Sequence, residues 1–146
     1  MAAAGRDEEE VRKLSMQLRY FEQTAENLQQ RLSMLNAALT DLSYANMTLE
    51  SIETEKENAE MLVPIGGSSY VSVKLADTNK VIIGLGAGVS VEKTVPEAKT
   101  IVKERMEELQ KTQVSAQQQL SQIAERINQD RQRMESLLSG IREGPQ

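Results

Sequence analysis

Two long stretches of the chain carry an apolar heptad repeat, and a shorter segment between them alternates apolar and polar residues with a period of two. The first stretch runs from Val11 to Leu49, with apolar residues spaced alternately three and four positions apart. Its predicted core positions are Val11, Leu14, Leu18, Phe21, Ala25, Leu28, Leu32, Leu35, Leu39, Leu42 and Leu49. This spacing predicts the a and d positions of a coiled coil.

The second stretch, from Val102 to Ile141, repeats the pattern and is interrupted at core positions only by Gln113 and Asp130. Its apolar core positions are Val102, Met106, Leu109, Ala116, Leu120, Ile123, Ile127, Met134, Leu137 and Ile141. Because a reversal of the chain separates the two repeats, we expect them to pair as an antiparallel coiled-coil hairpin.

Capping signals predict where the two helices begin. Asp7 followed by Glu10 has the spacing of a capping box, so the first helix is expected to start near Asp7. Thr94 followed by Glu97 has the same spacing and predicts a second helix that begins close to Val95.

The segment between the helices predicts strands. From Val63 to Val95 the period-two alternation indicates four short strands. Turn residues at Gly66-Gly67-Ser68-Ser69 and at Gly86-Ala87-Gly88 place one reversal inside each pair of strands, and Asp77-Thr78-Asn79 joins the pairs. The simplest arrangement is two β-hairpins.

Such hairpins leave unpaired backbone edges beside apolar side chains, and something must cover them. Pairing with hairpins of other chains into a closed barrel is one solution. The alternative is a monomeric cap that folds back on the helices. The residues predicted for the oligomerisation surface are Val71, Val73, Leu75, Val81, Ile83, Val89 and Val91.

The predicted fold class is therefore α+β: a long antiparallel two-helix coiled coil with two β-hairpins between the helices that assemble into an intersubunit β-barrel. We expect one domain with an N-terminal helix over 1–60, the hairpins over 61–95, a C-terminal helix over 96–141 and a tail over 142–146. Ser139-Gly140 and Gly144-Pro145 are the expected end signals of the second helix.

Composition narrows the function classes. The formal net charge is -5, with both signs interspersed, which argues against nucleic acid as a partner. No stretch is long and apolar enough to predict a membrane span, and the N-terminus has no apolar leader, so a cytoplasmic location is expected. The chain has no Cys and no His, which removes thiolate chemistry and the commonest metal ligand. We therefore expect no catalytic, cofactor-binding or metal-binding residues, and we expect that the chain is not an enzyme.

Two motifs could suggest a phosphate-binding loop or a catalytic carboxylate. Gly84-Leu85-Gly86-Ala87-Gly88 is glycine-rich, yet Val89 stands where the dinucleotide fingerprint needs a third glycine and a strand-like run follows. We interpret it as a tight turn. The carboxylates at Glu8–Glu10 and at Glu107 and Glu108 lie in helical, solvated contexts, which favours surface ion pairs over a desolvated acid.

Some apolar residues lie outside the heptad core positions of the two helices, which are called the seam below. Met16, Tyr20 and Leu138 lie off the a and d positions, close to the chain termini, which meet at one end of an antiparallel hairpin. A Met- and Leu-containing surface there could hold apolar segments of another protein. Alternatively, terminal core residues finish the coiled coil and single exposed hydrophobes are ordinary. The predicted client-binding residues, called the tip residues below, are Val11, Leu14, Met16, Leu18, Met134, Leu137, Leu138 and Ile141.

The amino-acid sequence of the β region also resembles that of a known family. Four segments carry the resemblance: the run from Leu62 to Val71, Val81-Ile82-Ile83, Gly86-Ala87-Gly88-Val89 and Val91-Glu92-Lys93. Together they are similar to the alpha class of prefoldin subunits. The resemblance spans essentially the whole chain. Two hairpins between the helices match the alpha class, since the beta class carries one, and the lack of Cys is more like an archaeal subunit.

The resemblance implies a heterohexamer of two alpha and four beta subunits, in which hairpins form a double β-barrel and six coiled coils project from it. It also implies an ATP-independent chaperone that captures unfolded polypeptides at the coiled-coil tips and passes them to a group II chaperonin. A structural coiled-coil adaptor without holding activity remains the alternative, and an enzyme is a distant third.

Overall fold

The computed structural model describes residues 2–143, and the side chains of residues 3–142. Its elements in chain order are α1 (Ala2–Thr54), β1 (Glu60–Gly66), β2 (Ser69–Lys74), β3 (Lys80–Gly86), β4 (Val89–Thr94) and α2 (Val95–Glu143). The predicted order of helix, two hairpins and helix is confirmed. The chain divides into two compact units, a helical unit made of the residues up to Ala37 and from Lys111, and a hairpin unit, Ala38–Gln110.

The first helix starts earlier than its capping signal predicted. α1 begins at Ala2, so Asp7 lies inside the helix and the prediction of a start near Asp7 is wrong. Ala2 to Ala4 are alanines, the residue with the highest helix propensity, and they extend the helix toward the N-terminus. Glu10 accepts a hydrogen bond from Nε of Arg133 on α2 at 3.1 Å, an alternative partner to the predicted cap.

The second helix ends later than predicted. α2 continues through Ser139 and Gly140 to Glu143, so the end signal at Ser139-Gly140 is wrong. A glycine inside an exposed helix costs only about 1 kcal/mol relative to alanine. Leu137 is buried and Ile141 is half-buried on either side of Gly140, so the seam continues past it. The second predicted signal, Gly144-Pro145, lies outside the described residues.

The start of α2 is as predicted. The Glu97 backbone N–H donates to Oγ1 of Thr94 at 3.3 Å, and the Thr94 backbone N–H donates to Oε2 of Glu97 at 3.5 Å. These reciprocal bonds form a capping box and occupy two donors at the helix start. Pro96 occupies the first turn, where its missing N–H removes no intrahelical bond.

The strands form two separate antiparallel hairpins, β1–β2 and β3–β4. Each closes through a two-residue turn whose central residues both have positive φ, Gly67 and Ser68 in one and Ala87 and Gly88 in the other. This is the type I′ geometry that matches the twist of a hairpin. The register shifts just before each turn, where Gly66 and Gly86 adopt φ of +103°.

The heptad seam is observed as predicted. Every core position named above is buried or half-buried. In the helical unit, Arg131 Nη2 lies 2.8 Å from Glu22 Oε1 across the helix pair, and Arg133 bonds Glu10, so the two helices run antiparallel. These pairs are exposed, so each is expected to contribute little to stability, and burial of the seam side chains dominates.

The hairpin unit has its own core. Five residues from the two helices are buried in it: Leu49, Ile52, Val95, Ala98 and Val102. Val95 and Ala98 are 1% and 0% exposed, so the first turn of α2 is part of this core. Ile52 is buried and Glu53 is exposed, as expected from a phase shift of the heptad near the insert.

We expect Leu49→Ala to lower the free energy of unfolding by about 2–5 kcal/mol, because it empties a buried position in this core. Chemical denaturation followed by circular dichroism measures the change. Met47→Ala, an exposed position on the same helix, should change it by about 0.5 kcal/mol or less. Equal effects of the two substitutions would contradict the assigned core.

Candidate assembly and client-binding surfaces

The predicted oligomerisation residues fall into three groups. Leu75, Val81 and Ile83 are half-buried and pack against the helical core of the hairpin unit. Val73 and Val91 are also half-buried. Val71 and Val89 are 43% and 54% exposed. The hairpins therefore use part of their apolar surface against their own helices and leave part of it uncovered.

Sequence alternation missed several exposed apolar residues on the strands. Their exposed side chains are large: Leu62, Val63, Ile65, Tyr70, Ile82 and Leu85. In β1–β2, Val63 pairs with Val71, and Leu62 and Tyr70 lie at intervening positions on the opposite face. Both faces of this hairpin are therefore apolar and exposed. The available signal was the continuous apolar run in β1, which is typical of a strand covered on both sides.

The tip residues are divided between the seam and the surface. Leu14, Leu18 and Leu137 are buried between the helices of the helical unit, and Val11, Met134 and Ile141 are half-buried. Met16 is 69% exposed and Leu138 is 38% exposed. Only part of the predicted set is therefore exposed on the surface.

Tyr20 adds to this exposed surface. Its side chain is 66% exposed, and its ring meets Phe21 edge-on with centroids 5.7 Å apart. On α2, a shallow groove includes two of the tip residues, Met134 and Leu138. Its lining residues are Arg131, Met134, Glu135, Leu138, Ser139 and Arg142. The groove therefore combines two apolar residues, Met134 and Leu138, with three charged ones and a serine.

The seam of the helical unit contains a buried carboxylate. Asp130 is 6% exposed, and its Oδ1 lies 3.6 Å from Nε of Arg126 one turn earlier. Its Oδ2 is buried and has no hydrogen-bond partner in the described part of the chain. The other polar core residue, Gln113, donates to the side-chain oxygen of Asn36 on α1. A polar residue at a core position can fix the register of a coiled coil at a cost in stability.

Asp130→Leu is expected to raise the free energy of unfolding by roughly 1–3 kcal/mol, because it replaces a poorly paired buried carboxylate with an apolar side chain. Thermal and chemical unfolding measure the gain. Asp130→Asn removes the charge but keeps the size and a polar end of the side chain. It should therefore give only part of the increase in the free energy of unfolding that leucine gives. A loss of stability with leucine would mean that the carboxylate has a partner that stabilises the seam.

Chemical sites are sparse in the described residues. Among residues 2–143, no group of three or more Asp, Glu, His or Cys side chains could hold a metal ion. Gly86-Ala87-Gly88 forms the β3–β4 turn, which agrees with its interpretation as a turn. Within the same residues, neither helix has a segment apolar enough to cross a membrane.

Comparison with known proteins identifies the family. The prefoldin subunit family matches residues 21–139. A prefoldin subunit alpha from Methanococcoides burtonii is 33% identical over 120 residues, which cover 82% of this chain and 87% of that protein. A prefoldin subunit alpha from Methanosarcina barkeri is 37% identical over 107 residues, 71% of this chain and 74% of that protein. One from Pyrococcus horikoshii is 31% identical over 121 residues, with 82% of each chain covered.

A cryo-EM structure of filamentous PFD from Methanocaldococcus jannaschii has the same fold. It superposes with a TM-score of 0.66 at 24% identity, over 76% of this chain and 92% of that one. The helix, two hairpins and helix of the structure agree with this comparison. The chain belongs to the prefoldin family of chaperone subunits, and the relatives named here are its alpha subunits.

Proposed function

We propose that this chain is an alpha-type subunit that assembles with beta-type prefoldin subunits through its hairpins and holds unfolded polypeptides at the tip of its helix pair. The observation that carries the proposal is a set of exposed apolar side chains on the helical unit that the seam does not need. Met16 and Tyr20 are the largest of these near the N-terminus. In a chaperone family, such a surface is suited to transient contact with apolar segments.

The proposed client contact differs in detail from the full set of tip residues. Leu14, Leu18 and Leu137 are already buried in the seam, so we propose that they support the tip. Contact with a client then falls to Met16, Tyr20, Met134 and Leu138, and to the edges of Val11 and Ile141. Methionine suits this role because its unbranched side chain adapts to different partners.

The proposed mechanism is weak binding at each arm and avidity across several arms. Burial of one Leu-sized side chain contributes roughly 1.5–3 kcal/mol, so a tip that holds one or two client side chains releases them readily. Several tethered tips raise the effective concentration of the second contact and slow escape. Release needs no nucleotide, because a competing surface can displace the tips one at a time.

The assembly proposed for the chain is a hexamer of two alpha and four beta subunits with hairpins closed into β-barrels, acting in the cytoplasm and delivering clients to a group II chaperonin. What supports it is the apolar surface of the β1–β2 hairpin, exposed on both faces. Closure into a barrel would cover that surface and remove the free edges.

The experiment mixes the chain with a beta-type prefoldin subunit, measures the mass of the complex, and then adds the complex to a chemically unfolded protein on dilution from denaturant. We expect a complex of hexamer mass that suppresses light scattering without ATP. A stable complex that gives no protection would instead support the structural adaptor. Failure to form any complex would contradict the proposed assembly.

A further inference from the structure

A second groove lies in the hairpin unit, where α1 ends and β1 begins. Its volume is about 350 Å³, and its lining passes from the helix onto the first strand. Tyr44 lies at the end farthest from β1, whereas Glu60 and Met61 belong to the strand itself. Met47 and Glu55 lie between them in the chain. An occupant of this groove would therefore contact α1 and the β1–β2 hairpin at once.

The large apolar side chains that α1 exposes in this groove are not used by the core of the hairpin unit. Leu49 and Ile52 are buried in that core. Tyr44 and Met47 are instead 64% and 58% exposed. With Ser51 they form a separate row on α1, at spacings of three and four residues, which is the spacing of one helix face. A tyrosine and a methionine that share an exposed helix face form a surface suited to coverage by another chain.

The serine and threonine hydroxyls of the groove are hydrogen-bonded within α1. Thr48 Oγ1 and Ser51 Oγ each donate to the main-chain carbonyl four residues earlier, both at 3.0 Å. Such bonds to the preceding turn leave these hydroxyls less available to another molecule. The charged groups of the lining are two carboxylates, Glu55 and Glu60. The groove therefore offers an occupant apolar side chains and a negative charge at the end next to β1.

The negative charge at this end of the groove is not neutralised within the described residues. Neither carboxylate forms an ion pair there, although Lys74 lies opposite Glu60 in the β1–β2 ladder. The hairpin unit, Ala38–Gln110, contains twelve acidic and seven basic residues, whereas the helical unit contains ten of each. The whole net charge of -5 therefore lies in the unit that carries the groove. A partner with lysine or arginine at the contact is favoured, while a second copy of this chain would bring the same excess of negative charge.

We infer that a beta-type subunit covers the end of this groove next to β1 with an apolar side chain flanked by lysine or arginine. The inference rests on the proposed function and adds to it a contact outside the strands. Continuity supports it, since Met61 in the groove is followed by Leu62, which is 69% exposed on the hairpin proposed to meet that subunit. A partner that lies on β1–β2 therefore reaches Met47 and the two carboxylates in the same binding event.

A charged substitution in the groove tests the apolar part of this contact. With a beta-type prefoldin subunit as the probe, Met47→Glu is expected to weaken the complex about tenfold or more, because it buries a third carboxylate at the contact. Met34→Glu is the matched control, since Met34 is 74% exposed on α1 but belongs to the helical unit. It should stay within about twofold of the unmodified chain. Sedimentation velocity measures both, and circular dichroism checks that the helices remain. Unchanged assembly with Met47→Glu, or an equal loss with Met34→Glu, would overturn the inference.

Neutralising the carboxylates tests the charge of the partner. Combined Glu55→Gln and Glu60→Gln should weaken the complex about threefold or more at low salt and reduce its dependence on salt concentration. Combined Glu8→Gln and Glu9→Gln changes the net charge equally, but at exposed positions of the helical unit. This control should leave the affinity and its salt dependence nearly unchanged. A tighter complex with the groove variant, or equal changes in the two variants, would overturn the assignment to a partner with basic residues.

Methionine methyl signals in NMR spectra of the unmodified chain give a measurement that does not depend on how the variants fold. The Met47 signal should shift when a beta-type subunit is added, and the Met34 signal should not. An unshifted Met47 in the complex would overturn the inference. A shift of Met47 with rising concentration of the isolated chain, or only on addition of an unfolded protein, would assign the groove to a second copy or to clients and overturn it as well. Absence of any complex of the unmodified chain would instead contradict the proposed function itself.

Discussion

Val71→Asp is expected to leave the isolated chain folded and to prevent its stable association with beta-type subunits. Val71 is 43% exposed and pairs with Val63 on an apolar face of β1–β2. In the isolated chain the new carboxylate remains in water, but an assembled barrel would bury it without a partner, at a cost of several kcal/mol. Because each 1.4 kcal/mol is a factor of ten, we expect the dissociation constant to rise at least a hundredfold. Sedimentation velocity measures the loss of the complex.

Val114→Asp is the matched control. Val114 is 51% exposed on α2 in the helical unit, so it receives the same substitution at similar exposure but lies outside the hairpins. We expect its complex to keep full mass. Circular dichroism should show the helical signal retained in both variants. If Val71→Asp still sediments as the complete assembly, this face of the hairpin is not the interface.

Combined replacement of Met16, Tyr20 and Leu138 with serine is expected to remove more than half of the holding activity while the assembly keeps its mass. The three side chains are exposed and lie off the seam, so the helix pair loses little stability without them. In the proposed hexamer the client loses these apolar contacts at both alpha-type tips at once, and avidity makes that loss steeper than for one arm alone. Light scattering of an unfolded client, at fixed chaperone concentration, measures the effect.

A second triple variant controls for the amount of apolar surface removed. Met34, Tyr44 and Val114 are also exposed, and like the first set they comprise one methionine, one tyrosine and one aliphatic residue. Serine at these positions should leave protection nearly unchanged. Equal loss in the two variants would indicate binding along the whole helical surface, and undiminished protection in the first would rule out the tip as the client site.

The heptad pattern was sufficient to predict the seam because burial in a helix pair depends only on which residues share a face. Leu28 and Ala116 are buried where the spacing placed them. The hairpins were equally predictable from the sequence, since Gly67 and Gly88 mark turns with positive φ. Ala2 and Gly140 show where local signals failed, because helix propensity and the packed seam extended both helices beyond the expected boundaries.

The candidate surfaces were harder to predict, since exposure depends on contacts that alternation does not encode. Alternation places Ile82 and Ile83 on opposite faces of β3, but it does not tell that the face of Ile83 packs on the helical core of the same chain while Ile82 stays exposed. Leu14 and Met16 were both predicted to bind clients, although the heptad spacing already placed Leu14 in the seam and Met16 off it, and their burial agrees with that spacing. The hydrogen bond from Arg105 to the carbonyl of Gly84 joins residues 21 positions apart, for which a single sequence holds no local signal.

The two-residue turns also bear on how the chain folds. A hairpin with such a turn brings together neighbours in the sequence and forms in about 1–10 μs. The Arg133–Glu10 contact, by comparison, joins residues 123 positions apart. Early formation of the hairpins and of the Thr94–Glu97 capping box would reverse the chain direction and shorten the effective loop that separates the helices. We therefore expect the coiled coil to form from its hairpin end toward the termini, which would make the end proposed to bind clients the last part of each subunit to become ordered.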